Sequence, residues 1–127
     1  MLIAAGARKT FGSLVALEGL DLSVEVGEII CLLGSNGAGK TTTLNLFLGF
    51  ASPDSGTVRV GGIDPAADPV RARRQMAYIP ETVALYPALS GLENLEYFDR
   101  LAGHKRDRDA LADILIDAGL QSEQIDL

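Results

Sequence analysis

The sequence contains no tryptophan, a single cysteine and no apolar stretch long enough to cross a membrane. Because Cys31 has no partner for an internal disulfide and lies in an apolar run, we predict that it is a small core residue. A membrane-spanning helix needs roughly 18 apolar residues in succession, and residues 1–30 show no secretory signal pattern. These features predict a cytoplasmic protein.

Positive charge is also scarce. The 127 residues carry 17 acidic and 11 basic side chains, a net charge of −6, and residues 93–127 hold nine of the acids. A broad nucleic-acid-binding surface needs clustered basic residues, so we expect no nucleic-acid partner. The acidic third is typical of solvated helix faces. A hydrophobic content of 47% and this length are typical of one globular domain.

The most informative stretch is residues 34–41, where Gly34, Gly39, Lys40 and Thr41 fill the fixed positions of the phosphate-binding pattern G-x-x-x-x-G-K-[ST]. The apolar run 28–33 before it predicts a strand buried on both faces. Residues 41–48 after it show helical spacing, and Gly49 is the expected terminator of this helix. Backbone N–H groups of such a loop and the following helix N-terminus form an anion site. The alternative is a glycine turn that merely joins a strand to a helix.

Each type of residue in this pattern has a physical function. Glycines allow unusual backbone angles and a close approach to phosphate. Lys40 would bring a mobile cation to the terminal phosphates, and the Thr41 hydroxyl would be a ligand for the accompanying Mg²⁺.

Hydrophobic periodicity and turn residues predict the remaining elements. Strands are predicted over residues 2–7, 20–26, 57–60 and 76–79, and a short helix capped by Asp68 over 68–75. A loop is predicted over residues 80–90. A capping box at Ser90 and Glu93 opens a helix to about residue 102, and Asp107 caps a last helix that ends at Gly119. The inner stripe of the first of these two helices is predicted to consist of Leu92, Leu95, Phe98 and Leu101.

Several segments together resemble the N-terminal half of the nucleotide-binding domain of ABC transporters. They are Lys9-Thr10-Phe11-Gly12, Val26-Gly27-Glu28-Ile29, residues 34–42, Pro53-Asp54-Ser55-Gly56 and Ala77-Tyr78-Ile79-Pro80. The resemblance implies an α/β fold, a P-loop NTPase core with strands on both sides of the phosphate loop and part of a helical subdomain. It divides the chain into a core over residues 1–90 and the start of the helical subdomain over 91–127.

The resemblance also implies a site for ATP and Mg²⁺. Phe11 takes the position of the aromatic that stacks on adenine, the alternative being a core residue at a strand end. The implied nucleotide-binding residues of the loop are Gly34, Ser35, Asn36, Gly37, Ala38, Gly39, Lys40, Thr41 and Thr42. Lys40 is the implied catalytic cation.

Glu81 stands where the family usually has a glutamine that reaches the metal and the attacking water. A carboxylate can still bind Mg²⁺, although it cannot donate the hydrogen bond of an amide. We therefore expect Glu81 to act with Thr41 in metal binding and to take part in catalysis. The alternative is an ordinary solvated acid on a loop.

Apolar side chains in the loop 81–90, among them Leu85, Tyr86 and Leu89, indicate a partner surface. The resemblance implies a transmembrane subunit there, a second ATP-binding subunit, an exporter-type system and a location on the inner face of the membrane. The family's Leu-Ser-Gly-Gly-Gln signature and activating carboxylate are not among these residues, so we expect this chain alone to hydrolyse essentially no ATP.

Three alternatives remain at this point. The chain could be part of a soluble ABC-type ATPase that acts on nucleic acid or ribosomes, or a non-catalytic truncated interaction module. A P-loop kinase or GTPase shares only the phosphate loop.

Overall fold

The computed structural model describes residues 1–125. The chain divides into two compact units, Met1–Tyr78 and Ile79–Leu127, and the described part of the second unit ends at residue 125. The elements of the first unit are β1 (Leu2–Phe11), β2 (Leu14–Val24), α1 (Lys40–Phe47), β3 (Ser55–Val60) and α2 (Pro69–Arg73). The second unit contains α3 (Gly91–Leu101), α4 (Arg108–Asp117) and a short 3₁₀ turn (Ser122–Gln124). None of the helices within residues 1–125 is long and apolar enough to cross a bilayer.

The first unit is built on an antiparallel sheet with strand order β2-β1-β3. β1 is the central strand, and its register shifts around Gly6, which has a φ of 55° and donates its N–H to Asp21 Oδ1 at 2.7 Å. The small β1 residues Ala4 and Ala7 are buried in one core cluster with residues of α1 and α2. The core consists of Ala4, Ala7, Leu17, Leu46, Phe47, Val58, Val60 and Ala72.

Helix boundaries follow local signals in the sequence. α1 ends before Gly49, whose φ of 71° allows its N–H to reach Leu46 O at 3.2 Å. α2 is capped by Asp68, which accepts the Arg71 N–H at 3.1 Å. These two predictions are confirmed.

Two predicted strands are wrong. Residues 28–33 and 76–79 do not pair with any strand within residues 1–125, and Cys31 is exposed rather than in the core. Exposure still alternates along the first segment: Ile30 is 40% and Leu32 38% exposed, whereas Ile29 is 93% exposed. The alternation suits a strand, but a strand also needs a neighbour to accept its hydrogen bonds, and the sheet of the described residues supplies none here.

The second unit has a small core of Leu92, Leu111 and Ile125. The predicted capping box is confirmed, because Ser90 N donates to Glu93 Oε2 at 2.7 Å and Glu93 N donates to Ser90 Oγ at 3.2 Å. The predicted inner stripe is only half right: Leu92 and Leu95 belong to the core cluster, but Phe98 and Leu101 are 40% and 70% exposed.

A buried acid takes the place of the predicted apolar stripe at the C-terminal end of α3. Asp99 accepts hydrogen bonds from the backbone and side chain of Arg106, so the α3–α4 connection folds over this carboxylate. These hydrogen bonds satisfy a charge whose burial would otherwise be costly.

Candidate nucleotide-binding site

The loop between residues 34 and 40 ends in two glycines with left-handed backbone angles. Gly37 has a φ of 84° and Gly39 a φ of 85°, a conformation that costs an L side chain about 1–2 kcal/mol. Gly39 is also the N-cap of α1 and offers no side chain to the first helical turn. The N–H groups of that turn therefore lack a side-chain acceptor and suit an anionic ligand.

The two glycines differ in their surroundings. A Cβ on Gly39 would lie 2.6 Å from Leu17 Cδ2 and 2.7 Å from Ala16 O, so the loop lies directly against β2. A Cβ on Gly37 would meet nothing within 4 Å. Gly39 is thus required by both its backbone angle and its packing. Gly37 faces open space, as expected for the wall of a ligand-binding loop. We call residues 34–41 the phosphate cradle.

Lys40 folds back over this loop. Its Nζ donates to Gly34 O at 2.5 Å and to Ser35 O at 2.7 Å. Backbone carbonyls are weaker partners for an ammonium than a phosphate is, so the lysine can transfer its hydrogen bonds to an anion that enters the loop. This arrangement fits the polyphosphate of a nucleotide.

The threonines that follow have different exposures. Thr41 is exposed and its hydroxyl can reach a metal ion, while Thr42 is partly buried. Thr43 is buried and donates its hydroxyl to Gly39 O at 2.9 Å, which anchors the loop to the first turn of α1. We did not predict this anchoring role from sequence, although a threonine four residues after a helix cap is a known hydrogen-bonding arrangement.

The remaining predicted loop residues form the outer side of the cradle. Ser35 O accepts the Ala38 N–H at 3.1 Å, which closes a tight turn, and Asn36 lies at the exposed tip of that turn. Their backbone, rather than their side chains, shapes the site.

Phe11 lies at the end of β1, and its partner in the register is Leu14 on β2. It is 52% exposed, so the alternative of a core phenylalanine is wrong. The ring lies on the same β1–β2 hairpin whose Ala16 and Leu17 approach Gly39. Its role in binding a base stays a prediction.

Asp54 was not singled out from the sequence as a site residue, yet it connects the turn before β3 to the end of β1. Its Oδ2 accepts the Thr10 N–H and the Thr10 hydroxyl at 2.7 Å each, and its Oδ1 accepts Lys9 Nζ at 3.0 Å. The Thr10 hydroxyl, followed by the Lys9 ammonium and the Thr10 N–H, lowers the pKa of Asp54 to about 2. The carboxylate is therefore ionised throughout the physiological range.

Glu81 is an exposed residue at the start of the second unit, and its position relative to the phosphate loop stays a prediction. Among residues 1–125, no group of three or more His, Cys, Asp or Glu side chains converges to hold a metal ion.

The loop 81–90 is exposed, and hydrogen bonds to Asn94 fix its second half, residues 86–90. Asn94, which is buried on α3, accepts the Tyr86 N–H at 2.8 Å and donates to the carbonyls of Tyr86, Leu89 and Ser90. The apolar side chains of the loop stay accessible: Val83 is 58%, Leu85 55% and Tyr86 48% exposed. The predicted exposed apolar surface is confirmed.

Comparison with known proteins assigns a family to this arrangement. The sequence profile of ABC transporters matches residues 17–126. The linearmycin resistance ATP-binding protein LnrL of Bacillus subtilis is 34% identical over 122 residues, which cover 94% of this chain and 39% of that protein. The doxorubicin resistance ATP-binding protein DrrA of Mycobacterium tuberculosis is 42% identical over 100 residues, which cover 77% of this chain and 30% of that protein.

A solved ATP-binding subunit of an ABC transporter has a similar structure, with a TM-score of 0.72 and 34% identity over 83% of this chain and 44% of that one. This likeness confirms the α/β fold class expected from the sequence. The chain spans 30–39% of the length of the two curated relatives.

Proposed function

Because the chain belongs to the ABC transporter family, we propose that it forms the ATP-binding core of a subunit that couples ATP binding and hydrolysis to transport across a membrane. The phosphate loop carries this proposal. Its left-handed glycines, uncapped helix N-terminus and folded-back lysine together form a cradle for a polyphosphate.

The residues of the cradle perform distinct steps when ATP binds. N–H groups of the loop and of the first turn of α1 hold the phosphates, and the Lys40 ammonium leaves the carbonyls of Gly34 and Ser35 to neutralise them. The Thr41 hydroxyl would be a ligand for Mg²⁺, and the bound ion would supply positive charge that stabilises phosphoryl transfer. Phe11 offers the open part of its ring to adenine.

The experiment that tests ATP binding compares two lysine substitutions in the complete gene product that contains these residues. Lys40→Ala removes the cation of the cradle, and Lys105→Ala removes an exposed lysine of the second unit. We expect isothermal titration to show loss of ATP binding for the first variant and no change for the second. Equal affinities for ATP in both variants would contradict the proposal.

Glu81 is proposed to sense the metal from its exposed loop, because it occupies the position of the family's glutamine. Glu81→Gln restores the amide, and Glu81→Ala removes the side chain. We expect both to change the Mg²⁺ concentration that gives half-maximal ATP turnover. Unchanged Mg²⁺ dependence and turnover in both variants would make Glu81 an ordinary loop acid.

A transmembrane subunit is the proposed partner of loop 81–90, since an exposed apolar surface commonly marks a protein interface. Two exposed valines provide a matched pair: Val83 on the loop is 58% exposed, and Val70 on α2 is 60% exposed. We expect Val83→Asp to reduce recovery of the protein with the membrane fraction, and Val70→Asp to leave it unchanged. Equal recovery of the two variants would locate the interface elsewhere.

A second ATP-binding subunit is proposed to cover the outer side of the cradle, where Ser35, Asn36 and Ala38 are exposed. Light scattering should show a dimer that forms with ATP and not without it. An ATP-bound protein that stays monomeric would oppose this part of the proposal.

A further inference from the structure

The end of β1 is held by a network centred on Asp54. Besides the three hydrogen bonds that its carboxylate accepts from Lys9 and Thr10, the Asp54 N–H donates to Arg8 O at 2.8 Å. One residue thereby contacts three successive residues of β1, which are separated from it by 44 to 46 positions in the chain. The next residue along β1 is Phe11.

Lys9 connects this network to the Phe11 ring. Its side chain is only 16% exposed, and its Nζ lies 5.4 Å from the ring centroid while it donates to Asp54 Oδ1. A cation within about 6 Å of an aromatic face is attracted to the ring. The ammonium is thus held between a carboxylate and the ring, and it restricts the positions that the ring can take.

We propose that Asp54 is a positioning residue that, through Lys9 and Thr10, holds the Phe11 ring ready to stack on the base of the nucleotide. The inference rests on the proposed function, because it assumes that Phe11 meets a base. An exposed aromatic at a strand end can adopt several rotamers, and fixing one before binding reduces the entropy lost when the base stacks. Asp54 acts on the affinity for the base and not on the affinity for the phosphates.

The test measures the affinities of ATP and of inorganic tripolyphosphate, which has no base, by isothermal titration of the complete gene product. Phe11→Ala should weaken ATP binding about 5- to 150-fold, the range for loss of one aromatic–base stack. Asp54→Ala should weaken ATP binding at least about threefold and not beyond the effect of Phe11→Ala, with tripolyphosphate affinity unchanged. Asp54→Asn, which keeps one acceptor oxygen, should recover part of the loss.

Two further variants refine the test. Lys9→Met keeps the length of the side chain and the hydrogen bonds of Thr10 but removes the cation, so it tests the proposal even if Asp54→Ala unfolds the unit. Asp68→Ala is the matched control, because Asp68 also accepts a backbone N–H in the first unit but caps α2. We expect Lys9→Met to lower the affinity for ATP but not for tripolyphosphate, and Asp68→Ala to leave both affinities unchanged.

The double variant Phe11→Ala/Asp54→Ala gives the deciding comparison. If Asp54 acts through the ring, the double variant should bind ATP as Phe11→Ala does. The inference would be overturned if the losses of ATP affinity in the two single variants added up in the double variant. It would also be overturned if Asp54→Ala lost as much affinity for tripolyphosphate as for ATP, and Asp54 would then only stabilise the sheet. The inference would also be overturned if Phe11→Ala left the affinity for ATP unchanged. That result would leave the proposed phosphate site standing. A wild-type protein that binds neither ligand would refute the proposed function and this inference together.

Discussion

Replacing Gly39 by alanine should destabilise the first unit far more than the same change at Gly37. Both glycines have nearly the same left-handed φ, 85° and 84°, so both substitutions incur a backbone strain of about 1–2 kcal/mol. Only at Gly39 would the new Cβ collide with β2, 2.6 Å from Leu17 Cδ2 and 2.7 Å from Ala16 O. Overpacking of this kind adds about 1–3 kcal/mol.

The expected total for Gly39→Ala is therefore about 2–5 kcal/mol, against about 1–2 kcal/mol for Gly37→Ala. Domains of this size are typically stable by about 5–15 kcal/mol, so the first variant loses a large part of its stability. One of the two contacts at Gly39 is a backbone carbonyl, which cannot rotate away as a side chain could.

The measurement is urea-induced unfolding of both variants, followed by far-UV circular dichroism, together with hydrogen exchange of the β1 amides. Hydrogen exchange assigns the loss to the first unit rather than to the second. Equal free energies of unfolding for the two variants would refute the reasoning, since the difference depends entirely on the close approach of Gly39 to β2.

Three other predictions concern pH, the apolar loop and α3. Because folding lowers the pKa of Asp54 from 3.8 to about 2, the stability that it contributes is present above pH 3.8 and is lost as the pH falls through about 2. In Asp54→Asn the free energy of unfolding should therefore decrease less steeply between pH 3.8 and about 2 than in the wild type. The same dependence on pH in both proteins would contradict this. Asn94→Ala leaves the part-buried Tyr86 N–H without its acceptor and should cost about 1–3 kcal/mol, with faster hydrogen exchange of that amide. Unaltered exchange would show that Asn94 does not hold the loop. Ser90→Ala removes the acceptor of the Glu93 N–H and should cost about 0.5–2 kcal/mol in thermal unfolding of α3, where no loss would contradict the capping role.

Local signals led to correct predictions wherever the interacting groups are close in sequence. Asp68 and Ser90 cap helices through N–H groups three residues ahead, and Gly49 ends α1 through a carbonyl three residues behind. The contacts of the phosphate loop are also local, because Lys40 reaches carbonyls only five and six residues away, while its role in binding phosphate stays a prediction. Residue types at fixed short spacing are sufficient to specify such contacts.

Errors arose where the outcome depends on distant partners. The runs 28–33 and 76–79 have the composition of buried strands, but pairing in the described residues joins β1 only to β2 and β3. Phe98 has helical spacing with Leu92 and Leu95, yet it is 40% exposed and its ring lies beside those of Tyr86 and Tyr97 rather than in the core cluster. Composition indicates what a segment could bury, and packing decides what covers it.

The sequence by itself determined that this protein has a phosphate loop at the start of a helix, and its family pattern indicated ATP. Those features depend on backbone angles and hydrogen bonds within a few residues. Only the tertiary structure decided that Gly39 lies against β2 and that Phe11 is half exposed at a strand end. It also decided that Asp54 holds Lys9 and Thr10, the two residues before Phe11. The first and last depend on contacts between groups more than 20 positions apart in the sequence, and the second depends on the exposed fraction of the Phe11 side chain. No local sequence pattern specifies either.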